Sequence, residues 1–275
     1  KNILLKKKNN DNLFFLKPND LIINDTPKKI SKYFLSFFQN KNLKDIILID
    51  HDDIDYKNNY YIINGIFSLK KKLKNKKNIF QGIKYILLDK KYSKVKKKIS
   101  NKFNLLITTG GSDNKNIVYR FYKIIKDLKD ISIRIVIGPG FRVSNPVFNL
   151  SNKKIIFIKN QTSLHSYFQN TDLSITAGGI SMFESLASNN ITLVTQLYKN
   201  QIYSIKKLKR IKAIHLIGKG NKIFKKKLVL IIKKYQKIKN NGKLKKKNDL
   251  RYIDGKSMYR IEKILFKIIK KKLHK

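Results

Sequence analysis

The chain contains no cysteine, which excludes disulfides, thiolate nucleophiles and cysteine-based zinc sites. It has no apolar run approaching the roughly 18–20 residues a membrane-spanning helix needs, so no membrane insertion is expected. No short-period repeat is present. Acidic residues are scarce, 17 against 63 Lys and Arg, for a net charge of +46 over 275 residues. No stretch interleaves Arg with aromatics as a nucleic-acid reader would. The surplus is almost all Lys, spread end to end with abundant Asn and Ile, as at residues 70–77, 94–98 and 243–247. Such low-complexity runs, of the kind an A/T-rich coding sequence gives, read as solvated surface. No specific nucleic-acid partner is therefore expected, although anionic phosphate ligands would be drawn to such a surface.

What is present is a folded-protein composition, 41% hydrophobic and 11% aromatic, in a chain long enough for two modest domains. The expectation is a cytoplasmic protein. Apolar strands and amphipathic helices alternate, which implies an α/β fold with parallel sheets covered by helices. Strands are expected at 21–24, 46–49, 61–63, 105–108, 131–137, 155–158, 173–176, 192–195 and 213–217. Helices are expected at 30–38, 116–128, 164–169, 181–187, 202–211, 223–239 and 259–271. A Lys-rich stretch at 89–101 marks a hinge, giving domains over 1–95 and 96–275.

The most informative stretch begins Asp172-Leu-Ser-Ile-Thr-Ala177-Gly178-Gly179-Ile-Ser181-Met-Phe-Glu184. A strand runs into Ala177-Gly178-Gly179, and a helix opens near Ser181 with Glu184 inside it. Glycines let a phosphate approach the backbone, and a helix N-terminus offers N–H groups and partial positive charge. The acceptor-only oxygens of Glu184 suit the two hydroxyls of a ribose. The plainer alternative is a capping box pairing Ser181 with Glu184. A second loop of the same kind is Thr109-Gly110-Gly111-Ser112-Asp113, again between a strand and a periodic helix. Beyond the strand expected at 192–195, Asn200 and Gln201 carry amides that can donate to a pyrophosphate or a sugar hydroxyl, with a helix cap at Asn200 as the alternative. Gly138-Pro139-Gly140 is a further strand-end turn with no assigned role.

These blocks, with Gln81-Gly82-Ile-Lys-Tyr85-Ile-Leu-Leu88 and Asp254-Gly255-Lys-Ser-Met-Tyr-Arg260-Ile261, resemble the UDP-sugar hydrolases of pseudaminic acid biosynthesis and the related spore-coat polysaccharide proteins. The resemblance covers nearly the whole chain in order. It implies a GT-B-like fold of two Rossmann-like domains, the second binding UDP and ending in a bracing helix. It implies a UDP-sugar substrate held by Gly110, Gly111, Ser112, Asp113, Ala177, Gly178, Gly179, Ser181, Glu184, Asn200 and Gln201, with no cofactor. Water would attack the anomeric carbon and release UDP. A GT-B glycosyltransferase using the same donor site is the near alternative. A non-catalytic nucleotide-binding module, fused to or partnered with a cytidylyltransferase, is the alternative of a different class. The family opens with a glycine-rich loop carrying a histidine taken as the catalytic base, and nothing like it precedes Asp20. The first domain is accordingly expected to be incomplete at its N-terminus, and no catalytic residue is assigned.

One other polar cluster and two lone histidines are read as structural. Asp50-His51-Asp52-Asp53, with Asp55 nearby, follows a strand and could hold a metal, but a polar loop with Asp caps is the commoner use, so no metal site is assigned. His165 and His215 lack an acid or nucleophile at useful spacing and are expected to be packed or surface residues.

Overall fold

The computed structural model describes residues 21–25, 46–50, 60–65, 77–98, 100–149, 155–159, 161–244 and 253–273. They form two compact units divided between Gly82 and Ile83, ahead of the expected 95/96 boundary. The reason is local: the Lys-rich segment after Ile83 is pinned within the second unit by contacts described below.

The first unit is a four-stranded parallel sheet in the order β1 (Ile22–Asn24), β2 (Ile46–Ile49), β3 (Tyr61–Asn64) and β4 (Ile79–Gln81). Ile46, Ile47, Leu48, Ile62 and Ile63 are all buried, the continuous apolar run of strands covered on both faces. The three residues of β4 gain their strand character from pairing with β3, and their periodicity alone does not mark them. Asp50 follows β2 with φ of 53° and accepts from the Gly65 N–H at 2.8 Å, the turn role expected of this loop. His51, Asp52, Asp53, Asp55 and the expected helix at 30–38 lie outside the described residues.

The second unit is a seven-stranded sheet of β5 (Phe103–Thr108), β6 (Ile131–Ile137), β7 (Ile155–Lys159), β8 (Leu173–Ala177), β9 (Ile191–Gln196), β10 (His215–Lys219) and β11 (Lys222–Ile223). Their spatial order is β11-β10-β9-β8-β5-β6-β7. All neighbours are parallel except β11, which turns back on β10 around Gly220. The helices are α1 (Ile117–Ile125), α2 (His165–Gln169), α3 (Ile180–Ala187), α4 (Ile202–Arg210), α5 (Lys225–Asn240) and α6 (Ser257–Leu273). Burial of Ile117, Val118, Phe121 and Ile125 on α1 follows the 3.6-residue period of its sequence.

From β5 the chain winds outward through β6 and β7, then returns to place β8 on the other side of β5. This is the doubly wound order, and β5/β8 is its switch point, the place where open parallel sheets bind ligands beyond their carboxyl ends. Register pairs Thr108 with Thr176, so the glycine loops after β5 and β8 emerge side by side.

Candidate functional site

Four loops meet at the carboxyl edge of β6, β5, β8 and β9, and with the end of β8 and the first turns of α3 they hold every site residue expected from the sequence. Gly110 turns the chain after β5 with φ of +92°. The β6 loop lies so close to it that a Cβ on Gly138 would come within 2.5 Å of the Gly110 carbonyl oxygen and 2.6 Å of that of Gly111. The Gly140 N–H donates to the Gly111 carbonyl at 2.7 Å. Gly138-Pro139-Gly140 thus acquires the role that the sequence left open: it is a platform under the Gly110–Gly111 turn. Ser112 is half-buried, and its carbonyl accepts from the Thr109 hydroxyl at 3.2 Å.

The two glycine loops, alike in sequence, differ at the helices they precede. Asp113 is buried, and its two carboxylate oxygens accept from the Ile117 N–H at 2.8 Å and the Val118 N–H at 3.0 Å. Asn145 donates to the same carboxylate at 3.3 Å. The N-terminus of α1 is therefore already satisfied by an internal anion. At α3 the N-cap is Gly179, and no side chain caps it. The helix starts at Ile180, so Ser181 lies inside it rather than at the cap, and the simple capping-box alternative does not describe this terminus. A ligand anion finds uncapped N–H groups at α3 and a carboxylate at α1.

Gly178 and Gly179 also divide their tasks. A Cβ on Gly178 would meet the Ile205 Cδ1 at 2.6 Å and the Gln201 Cβ at 3.0 Å, whereas nothing lies within 4 Å of one on Gly179. Gly178 lets α4 pack against the loop, and Gly179 opens onto free space. Ala177 is buried at the end of β8. Gln201 is buried too, its side-chain oxygen accepting from the Leu197 N–H at 2.8 Å and the Tyr198 N–H at 3.3 Å. It closes the β9 loop, while Asn200 is exposed. The 3-10 turn there begins after Tyr198, so Asn200 is not a helix cap.

Glu184 sits one turn into α3. Its Oε1 accepts from the Tyr92 hydroxyl at 3.0 Å, and the Ser181 hydroxyl also bonds to it. Burial is the largest influence on this carboxyl and pushes its pKa up; the Asp89 charge adds to the rise, and the bonds from Tyr92 and Ser181 oppose it. Burial, with Glu184 beside it, likewise pushes the Tyr92 hydroxyl up, so Tyr92 stays a donor. Behind α3 the hydroxyls of Ser174, Ser185 and Thr192 form a buried chain, with Ser185 to Thr192 at 2.7 Å.

Sequence reasoning did not find Tyr92 or Lys115. Lys115, in the loop after β5, donates to the Leu197 carbonyl at 3.3 Å and lies 5.9 Å from the Tyr198 ring centroid. It reaches from the β5 loop to the β9 loop, which flank the β8 loop on either side. Its only sequence signal is its place just after the second glycine loop. His165 and His215 are packed as expected. The first meets Tyr92 edge-on with ring centroids 5.1 Å apart, and the second hydrogen-bonds Tyr235 at 3.1 Å.

Among the described residues no group of three His, Cys, Asp or Glu could hold a metal, and no helix is long and apolar enough to cross a membrane. Lysines crowd α4, α5 and α6. Binding to DNA or RNA at low salt is expected to be independent of sequence and to fall steeply as salt rises, because it would come from counterion release. Tight, salt-resistant binding to one sequence in a filter or polarization assay would overturn this.

No protein-family model matches the chain. It is 30% identical over 225 residues to the uncharacterized protein MJ1062 of Methanocaldococcus jannaschii, covering 70% of this chain and 44% of that protein. It is 24% identical over 156 residues to the spore coat polysaccharide biosynthesis protein SpsG of Bacillus subtilis, covering 53% of this chain and 46% of that one. The chain thus spans less than half the length of either relative. Among solved structures it resembles a Listeria monocytogenes protein assigned as a UDP-N-acetylglucosamine 2-epimerase, with a TM-score of 0.54 at 12% identity over 91% of this chain and 74% of that one. It also resembles TarM, with a TM-score of 0.52 at 13% identity over 90% and 54% of the two chains. The fold is α/β and GT-B-like, built of two Rossmann-like units with parallel sheets. At these identities the structural likeness speaks to fold alone.

Proposed function

We propose that this chain belongs to a nucleotide-sugar enzyme of surface polysaccharide biosynthesis and that its second unit binds the UDP of a UDP-sugar. The observation that carries the reading is the uncapped N-terminus of α3 behind Gly178 and Gly179, at the switch point of a doubly wound sheet, with Glu184 one turn further on. The diphosphate would lie over Gly179 and Ser181, where backbone N–H groups and the helix dipole favour negative charge. The Gly110-Gly111-Ser112 turn would form the neighbouring wall. Glu184 would accept from the ribose hydroxyls, and Asn200 would donate to the diphosphate or the sugar. Asp113, Ala177 and Gln201 would serve the same site by holding its loops in shape. The similarity to SpsG, named for spore coat polysaccharide biosynthesis, supports this substrate class.

For the reaction of the whole protein we favour hydrolysis. Water would attack the anomeric carbon as the bond to the β-phosphate oxygen breaks, UDP leaving with the bonding pair and a base taking the water's proton. Analysis of products with and without a sugar acceptor separates this from transfer at the same donor site.

The site itself is tested by two neighbouring glycines. Gly179→Ala places a methyl in open space at an ordinary φ of −97°, so melting should change little while UDP affinity falls at least tenfold, the effect of about 1.4 kcal/mol. Gly178→Ala forces Ile205 and Gln201 to move, so melting itself should fall. Calorimetry showing full UDP affinity in Gly179→Ala sinks the placement of the diphosphate.

A further inference from the structure

The segment that opens the second unit is held in place from three sides. In the 3-10 turn Lys90–Lys94, Tyr92 is only 2% exposed. Gly255, at φ +69°, lies so near that a Cβ there would sit 2.2 Å from the Tyr92 carbonyl carbon and 2.3 Å from the Ser93 nitrogen. On either side of the turn and of Gly255, the Leu88 N–H donates to the Ser257 hydroxyl at 3.3 Å. Arg260 grips Asp254 with both guanidinium nitrogens and donates to the Lys84 carbonyl at 3.3 Å. The chain has two glutamates, and both touch this turn: Glu262 pairs with Lys90 at 2.6 Å, and Glu184 accepts from Tyr92 at 3.0 Å. On the far side of the Tyr92 ring stands His165, whose Nε2 is buried without a partner among the described residues.

We propose that Tyr92 is a positioning residue for Glu184, clamped by the Asp254–Arg260 segment so that its hydroxyl sets the orientation of the ribose-binding carboxylate. The proposal rests on the UDP-binding reading above. It explains why a tyrosine in a Lys-rich connector is among the most buried residues of the unit and why Gly255 approaches its backbone so closely. A buried carboxylate with one long side chain has several rotamers, and a fixed donor selects one before the ligand arrives, which reduces the ordering cost of binding. The same bond favours the ionised form of Glu184 against the burial that disfavours it.

The elements packed against α3 are the 3-10 turn Lys90–Lys94, α2, β8 and β9. The 3-10 turn and its cap bring Tyr92, Asp89 and lysines 90, 91 and 94. Helix α2 brings His165 and Tyr167, and Ser181 lies on α3 itself. Strands β8 and β9 carry no titratable side chain. Tyr92, Ser181 and Asp89 act on Glu184 directly.

The test is the pH profile of UDP affinity in the whole chain, wild type against Tyr92→Phe, which deletes one buried oxygen and keeps the ring. Binding should strengthen as pH rises through the titration of Glu184, because an ionised carboxylate is the better acceptor. In Tyr92→Phe the bond that lowers the Glu184 pKa is gone, so the acid limb should move to higher pH. Affinity should drop about tenfold at the acid end of the profile and only a few-fold at the alkaline end. UDP's own titration is common to both proteins and cancels in the comparison. In a Glu184→Gln background, Tyr92→Phe should leave no pH-dependent difference. With the glutamates carboxyl-labelled with carbon-13, the Glu184 resonance should titrate at higher pH in Tyr92→Phe. Parallel affinity profiles with an unshifted Glu184 resonance overturn the positioning role alone. Absence of UDP binding in the wild type overturns the site reading and this inference with it.

Discussion

Glu184→Gln is expected to weaken UDP binding by about 1.5–3 kcal/mol, roughly 10- to 150-fold, without a matching loss of stability. The carboxylate is all acceptor, and the groups around it are donors: the Tyr92 hydroxyl at 3.0 Å, the Ser181 hydroxyl and, in the proposed complex, a ribose diol. Glutamine keeps the size but replaces one acceptor by an NH₂ that faces those donors. Stability should respond in the other sense. Burial raises the pKa of Glu184 in the fold, so its contribution to stability is fully present below its unfolded pKa and declines as pH rises through the folded value. Once ionised, the buried group is a burden that a neutral amide lacks, so at pH above that titration Glu184→Gln should melt no lower than wild type, and the comparison should favour it more as pH rises. Calorimetry and thermal melting across pH measure both. A structural carboxylate would lose stability on substitution and leave UDP affinity per folded molecule unchanged, and that result would remove Glu184 from the site.

Gly255→Ala should destabilise the second unit by about 2–5 kcal/mol. The left-handed backbone at φ +69° costs an L-residue about 1–2 kcal/mol, and overpacking against an immovable neighbour adds about 1–3 kcal/mol. The neighbour here is main chain, at 2.2–2.5 Å from the added carbon, so no rotamer change relieves it. Gly242 is the internal control. Its φ is +68° and nothing lies within 4 Å of its added Cβ, so Gly242→Ala should show the backbone part alone. Denaturant unfolding of the two variants separates strain from close approach. Equal losses in both would mean that the contact with Tyr92 is not what requires glycine at 255.

The elements that sequence located well are those whose pattern is complete within the element. Strands β2 and β6 run as their apolar residues indicate, and α1 buries the stripe its period marks. β4 and β11, of three and two residues, exist because a neighbour pairs with them. Helix α5 begins at Lys225 rather than Ile223 for the same reason, since Ile223 is taken into β11. The candidate site was legible where glycine reports a local demand, at Gly110 and Gly178. Tyr92 was invisible because its partners are 92 residues away on α3 and in the Asp254–Arg260 segment, while its neighbours in sequence are mostly lysines.

By itself the sequence determined the alternation of strand and helix, the parallel character of the sheets, and two glycine loops each opening a helix. Periods of 2.0 and 3.6 residues and the need for glycine in tight turns are short-range properties, readable one segment at a time. Only the tertiary structure decided that β5 and β8 are neighbours at the switch point and that Gly138 underlies the first loop. It also decided that Asp113 fills the end of α1 while α3 stays uncapped, and that Tyr92 holds Glu184. Each of these depends on which distant segments come into contact, and that is set by packing across the whole core, where residues far apart in the chain meet with no trace in the local pattern.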